Sequence, residues 1–254
     1  MPRLLAAALA ALLAAALPAA AAPGIAAASD LKFALDEIAR AWSRETGRGV
    51  RLAYGSSGNF RRQIAEGAPF ELFLSADESY VLALAREGRL EDEGVPYAVG
   101  RLVLFAPAGS PVDPARGLAG LAEAARAGRV AKVAIANPAH APYGRAAKEA
   151  LEGAGAWKLL EGRLVLGENV SQAAQFAASG DASAGLFAYS LTFSPAVASR
   201  GRFALVPESA HAPLRQRMAL VKGAGEDARA FYRYLQGPAA RGIFARYGFS
   251  LPGP

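Results

Sequence analysis

Ile25-Ala26-Ala27-Ala28-Ser29-Asp30-Leu31 is the stretch on which the fold class turns. Four apolar residues are too few for a buried helix, and they stop at a serine. Beyond it Leu31, Ala34, Leu35, Ile38, Ala41 and Trp42 recur at spacings of three and four, the helical period, until Gly47 closes the run. A short apolar strand that enters a helix through a small polar turn is the unit of α/β sheets. Val50, Leu52 and Tyr54 alternate as a second strand, Gly55-Ser56-Ser57-Gly58 turns, and a helix follows through Phe60 and Ile64. Farther along, residues 72–74, 102–106, 133–136, 163–166, 184–188 and 218–221 read as strands. Helices are expected over 78–87, 143–151, from Gly167-Glu168-Asn169 to Ser179, and over 227–235 and 239–247. This alternation predicts an α/β protein with mostly parallel sheets flanked by helices.

The chain has 254 residues, enough for one or two domains with a full core, and 53% hydrophobic against 20% charged residues excludes disorder. It has no cysteine, which removes thiol catalysis, disulfides, Cys-ligated zinc, iron–sulfur clusters and a lipid anchor on an N-terminal Cys. Two histidines, His140 and His211, are too few for a His-rich metal site, and no His-Glu-x-x-His helix occurs. The net charge is +6, but 23 of the 28 basic residues are arginines scattered along the chain, with no run longer than Arg61-Arg62. That distribution argues against nucleic acid and suits a small anionic ligand drawn in by steering. Arg3, the apolar run 4–17, Pro18 and the small residues 19–22 have the layout of a secretory signal peptide over 1–22. A transmembrane anchor would need about 20 apolar residues and a stop-transfer flank. An exported product that is not embedded in the membrane is expected.

In open α/β sheets the ligand sits beyond the C-terminal ends of the strands, at helix N-termini. Four loops fall there: 26–31, 55–60, 137–144 and 167–172. They are rich in Ser, Gly, Asn and Pro and contain no Lys or Arg. Free backbone N–H groups at the positive end of helix dipoles make an anion site from neutral donors. Taken singly, Ser29 and Ser57 serve equally well as N-caps or turn residues. Phosphate-loop, dinucleotide and Gly-x-Ser-x-Gly patterns are missing. His140, between two prolines, reads as a surface residue. Asp77-Glu78 and Glu91-Asp92-Glu93 read as solvated faces or caps.

Several segments resemble the periplasmic molybdate-binding proteins of ABC transporters. They are Ala26-Ala27-Ala28-Ser29, Ser56-Ser57, Arg62-Gln63-Ile64 with Gly67-Ala68-Pro69, and Leu72-Phe73-Leu74-Ser75-Ala76-Asp77. Pro138-Ala139-His140-Ala141-Pro142-Tyr143-Gly144, Ala147-Lys148-Glu149-Ala150-Leu151 and the C-terminal Ile243-Phe244-x-Arg246-Tyr247-Gly248-Phe249 continue the series in order. The resemblance implies a two-lobed periplasmic binding protein fold, with lobe 1 at 23–103 and 218–254, lobe 2 at 104–217, and the strands 102–106 and 218–221 crossing as the hinge. It implies that Ser29 and Ser57 supply hydroxyl and backbone donors, and that Tyr143 and Val170 supply backbone N–H donors. One branch of the family has a ligand-binding tyrosine three residues after the glycine matching Gly185. Here that place is Ala188, and Tyr189 beside it is the remaining candidate, although strand alternation turns it to the opposite face and leaves the Tyr143 hydroxyl as a replacement. Asp30 is expected to turn its carboxylate from the ligand, toward its own helix N-terminus.

The implied function is capture of molybdate, and tungstate nearly as well, for the permease and ATPase of an ABC importer. The implied protein is a periplasmic monomer without cofactor, without metal beyond the molybdenum in the oxyanion, without nucleic-acid partner and without enzymatic activity. Two alternatives stand beside it. One is a binding protein for sulfate, thiosulfate or phosphate, the last with Glu168 or Asp30 accepting the ligand's proton. The other is an exported serine hydrolase using Ser57 with His140.

Overall fold

Strand β1 (Gly24–Ala28) is buried along its whole length, and its side chains alternate between two apolar layers. The computed structural model describes residues 22–252, so the expected signal peptide, but for Ala22, lies outside the described residues. Ile25 and Ala27 meet Leu35, Ile38, Trp42, Phe231 and Phe244 on one face of the sheet, whereas Ala26 meets Phe60, Ile64, Phe73 and Leu84 on the other. The alanines of β1 are small enough to let helices approach from both sides. Each fully buried large aliphatic side chain in these layers stabilises the fold by about 1.5–3 kcal/mol.

From β1 the chain passes through a single 3-10 turn, Ser29–Leu31, into α1 (Lys32–Thr46), which ends on Gly47 at φ +69°, a left-handed value that glycine adopts without strain. The expected β2 (Arg51–Gly55), α2 (Ser57–Ala65), β3 (Leu72–Ser75) and α3 (Glu78–Arg86) follow. Strand β4 (Val95–Gly100) then leads through Arg101 alone into β5 (Leu102–Pro107), the first strand of a second sheet. That sheet is built from α4 (Gly117–Arg126), β6 (Val133–Ala136), α5 (Pro142–Gly153), the short α6 (Trp157–Leu160), β7 (Leu164–Gly167), α7 (Val170–Ser179) and β8 (Ala184–Ala188), and is completed by a 3-10 turn Tyr189–Phe193, the short α8 (Pro195–Ala198) and β9 (Gly201–Leu205). The chain returns to the first sheet in β10 (Leu214–Leu220) and closes with α9 (Glu226–Gln236) and α10 (Pro238–Arg246).

The strand orders are β2-β1-β3-β10-β4 and β7-β6-β8-β5-β9. Each sheet is mostly parallel, as expected, with four strands running one way and a single strand, β10 or β5, running against them. β1 pairs in parallel with β2 and β3, and β6 with β7 and β8, but β10 runs antiparallel to β3 and β4, and β5 to β8 and β9. The antiparallel members include the strands on either side of the two passages between sheets. These passages are Arg101 and residues 206–213, and Arg101 pairs with Glu208 at 3.0 Å, tying one passage to the other. The expected lobe boundaries at 103/104 and 217/218 fall inside β5 and β10, each of which lies wholly in one sheet.

Candidate functional site

The C-terminal ends of β1, β2 and β3 face those of β6 and β7, so the four Ser-, Gly- and Asn-rich loops meet between the sheets. Each contributes through a specific local geometry. Ser29 leaves β1 with its hydroxyl donating to Asn169 Oδ1 at 3.1 Å and accepting from the Ser171 N–H at 3.2 Å, while the Ser171 hydroxyl donates to the Ser29 carbonyl at 2.8 Å. Ser29 therefore holds the two sheets together and caps no helix of its own. Ser56 is the N-cap of α2, its Oγ accepting from the Asn59 N–H, and it also lies 2.8 Å from His140 Nδ1. Ser57, next along, is completely buried and accepts the Ala76 N–H at 3.0 Å. Asn169 caps α7, and Val170 begins that helix.

Ser29, Ser57, Tyr143 and Val170 are brought together: with Asp30 and Ser56 they line one small cavity of about 10 Å³. That is about the least space that admits one water, so the facing loops stand nearly closed on each other. Ser57, Tyr143 and Val170 each stand in the first turn of a helix, where backbone N–H groups have no intrahelical acceptor. Three helix N-termini thus converge on the cavity, and no Lys or Arg lines it.

Tyr189 is not part of this site. It follows β8 in a 3-10 turn, its ring packs on Phe193 and Phe203 at centroid distances of 5.1 and 5.7 Å, and Gly248 fits closely against it. Its neighbours are therefore aromatic, and the tyrosine expected as a ligand contact belongs to a packing cluster.

The Tyr143 hydroxyl is not free either. It donates to Asp30 Oδ2 at 3.1 Å, and Gln216 Nε2 donates to the same oxygen at 2.6 Å. Gln216 Oε1 in turn accepts from the Tyr97 hydroxyl at 2.7 Å, and the Ser190 hydroxyl donates to the Asp30 carbonyl. Asp30 is only 1% exposed and is one of the residues lining the cavity, its carboxyl held by Tyr143 and Gln216. Burial lifts its carboxyl from 3.8 to about 6, against the opposing pull of the Gln216 and Tyr143 hydrogen bonds and of the Asp30 and Leu31 amides. Burial, with the charge of Asp30, also pushes the Tyr143 and Tyr97 phenols well above their usual range.

His140 is a correction of another kind. Its side chain is 15% exposed and sits between Ser56 and Glu168, whose carboxylate lies 3.6 Å from Nε2, so it is an interior contact of the two facing loops and not a surface residue. It faces Ser56 and not Ser57, whose hydroxyl is taken by a backbone amide. The Ser57–His140 pair that a hydrolase would need is therefore not formed. Asn169, Gln216 and Tyr97 were not singled out in the sequence. Asn169 carries an N-cap signal just ahead of α7, whereas Gln216 sits between Arg215 and Arg217 with nothing to mark it as buried.

The family of bacterial extracellular solute-binding proteins matches over residues 24–250. The molybdate-binding protein ModA of Rhodobacter capsulatus is 40% identical over 216 residues, covering 84% of this chain and 82% of that protein. The solved periplasmic molybdate-binding protein of Azotobacter vinelandii superposes with a TM-score of 0.82 at 30% identity, covering 91% of this chain and all of the other. The sulfate-binding protein SubI of Mycobacterium tuberculosis superposes with a TM-score of 0.72 at 16% identity, covering 92% and 88%, and shares the fold.

Proposed function

The chain belongs to the bacterial extracellular solute-binding protein family, and from that premise we propose that its solute is molybdate, with tungstate bound nearly as well. The observation that carries the reading is the cavity itself: hydroxyls and first-turn helix amides around one small space, with no cationic side chain. A cage of neutral donors favours a fully ionised tetrahedral dianion, because every donor needs an acceptor and a ligand O–H would leave one unmatched. Ser29, Ser57, Tyr143 and Val170 are the proposed contacts, the last two through their backbone N–H groups.

The two sheets with their helices act, in this reading, as two lobes hinged at Arg101 and at residues 206–213. Closure takes the anion out of water and presents a closed face to the permease of an ABC importer, whose ATPase drives transport. The protein works in the periplasm as a monomer after loss of its signal peptide, carries no lipid anchor, needs no cofactor and performs no chemistry on its cargo. One observation supports a second reading. The acidic residue Asp30 is among those lining the cavity, and an ionised carboxylate there suits the proton of monohydrogen phosphate.

A thermal-shift series with molybdate, tungstate, sulfate, thiosulfate and phosphate separates these readings, since a ligand that binds only the folded state stabilises it by RT ln(1 + [L]/Kd), about 2.7 kcal/mol at a hundred times Kd. Molybdate and tungstate are expected to raise the melting temperature at micromolar concentration and the others weakly. Equal stabilisation by sulfate or phosphate overturns the molybdate assignment.

A further inference from the structure

We infer that Asp30 is itself a donor to the anion: its carboxyl is protonated in the bound state, and capture of a dianion takes up one proton from solvent. The inference rests on the oxyanion reading above and concerns the same cavity.

The hydrogen bonds around Asp30 are unevenly divided. Oδ2 accepts from both Gln216 Nε2 and the Tyr143 hydroxyl, whereas Oδ1 is buried without a side-chain partner, the Asp30 and Leu31 amides alone acting on the carboxyl from the main chain. Gln216 is committed on its other side, since its Oε1 takes the Tyr97 hydroxyl. The elements packed on Asp30 present Tyr143 from α5, Gln216 from β10, Tyr97 from β4 behind Gln216, and Ser190, which bonds the main-chain carbonyl. Among the described residues no Lys, Arg or His pairs with the carboxyl, and no second carboxylate faces it.

A buried carboxylate with one oxygen lacking a side-chain partner and no counter-charge is a costly arrangement. A proton on Oδ1 removes the charge but creates a donor that needs an acceptor. No protein group supplies one, and a tetrahedral oxyanion, which is all acceptors, does. An ionised Asp30 beside a dianion would instead set like charges together in a site without cations. Burial already holds the carboxyl up at about 6 without any ligand, so an anion alongside raises it further. The proton settles on Oδ1, the Oδ1–H donates to the ligand, and Oδ2 keeps its two donors. Asp30 thereby becomes a specificity-determining residue. A ligand that brings its own proton offers no acceptor at that position, which separates this arrangement from the phosphate reading.

Titration calorimetry with sodium molybdate at pH 7.5, repeated in buffers of different ionisation enthalpy, counts the protons. The expected uptake is about one per anion, with affinity falling close to tenfold per pH unit above neutrality. Asp30→Asn, which mimics the neutral acid with nearly the same shape, is expected to bind molybdate with no proton uptake and with affinity flat in pH. Binding to the wild type without proton exchange overturns the inference and leaves the oxyanion reading intact. Uptake that is equal in wild type and Asp30→Asn assigns the proton elsewhere and also overturns it. Absence of molybdate binding in every buffer removes the reading and the inference together.

Discussion

Two serines with the same expected role are held in different ways, and that difference is measurable. The Ser29 hydroxyl bonds only groups of the opposite loop, Asn169 and Ser171, whereas the Ser57 hydroxyl accepts a backbone N–H from Ala76 within its own sheet. A hydrogen bond to a charged acceptor contributes roughly 1.5–3 kcal/mol, so either Ser→Ala change is expected to weaken molybdate binding by about ten- to a hundredfold. Ser57→Ala leaves the fully buried Ala76 amide unsatisfied, at a cost of about 1–3 kcal/mol, whereas the Ser171 amide freed by Ser29→Ala is only half-buried, so Ser57→Ala should lower the melting temperature without ligand the more. Calorimetry and thermal melts on both variants check the pair of effects. Asp30 adds a pH dependence of known sign. Its carboxyl titrates near 6 in the fold against 3.8 unfolded, so its stabilising contribution is present below 3.8 and is lost as pH rises through 6. At about 1.4 kcal/mol per unit, ligand-free Asp30→Asn is expected to exceed the wild type by up to roughly 3 kcal/mol at pH 8, the gap closing toward pH 4 in denaturant melts. The positions of Ser29 and Ser57 were legible because a serine between an apolar strand and a helical period has few places to go. The Asp30–Gln216 contact was not, since it joins residues 186 apart and no local pattern encodes which polar side chains are buried together.

Helix α2 shows how closely one element can control the site. Gly58, in its first turn, donates its N–H to the His140 carbonyl at 3.0 Å, and a Cβ at Gly58 would stand 2.6 Å from that same oxygen. The obstacle is backbone, not the end of a flexible side chain, so it cannot swing aside. Gly58→Ala is expected to wedge the two loops apart and weaken molybdate binding by about ten- to a hundredfold, at the 1–3 kcal/mol typical of overpacking, with little change in the ligand-free melting temperature. A matching loss of ligand-free stability would mean that the contact belongs to the fold and not to closure. At this scale the expected helices lie within a few residues of those observed, because capping and periodicity are local. The strands were read less completely. β4 contains Pro96 and ends in Gly100, β9 carries exposed Phe203 and Leu205, and β10 starts at Leu214 with exposed Arg215 ahead of its apolar end. β4 and β9 depart from a continuous apolar run because they are edge strands, and β10 because its start adjoins the passage from the other sheet. The one reversed strand in each sheet, β10 or β5, pairs antiparallel on both sides, which makes each mostly parallel sheet mixed.

Across the whole molecule, the facing loops are joined by a ring of contacts around the cavity. Arg145 of α5 bonds Asp77 and the Tyr80 hydroxyl, His140 meets Ser56, Ser171 meets Ser29, and Ser190 meets the Asp30 carbonyl. Arg145 is thus engaged by Asp77 and Tyr80, and the cavity is lined by neutral donors and Asp30. The relatives named for molybdate share this fold over nearly the full chain, and so does a sulfate-binding protein at much lower identity. Fold alone therefore does not choose the anion, and the chemistry of the cavity must. The most direct measurement is a competition titration by calorimetry, molybdate into the purified protein with and without a large excess of sulfate. The proposed function predicts one molybdate per chain, bound at micromolar concentration or tighter, with an affinity that sulfate barely changes. Displacement by sulfate in proportion to its concentration, or a sulfate affinity equal to that for molybdate, would contradict it.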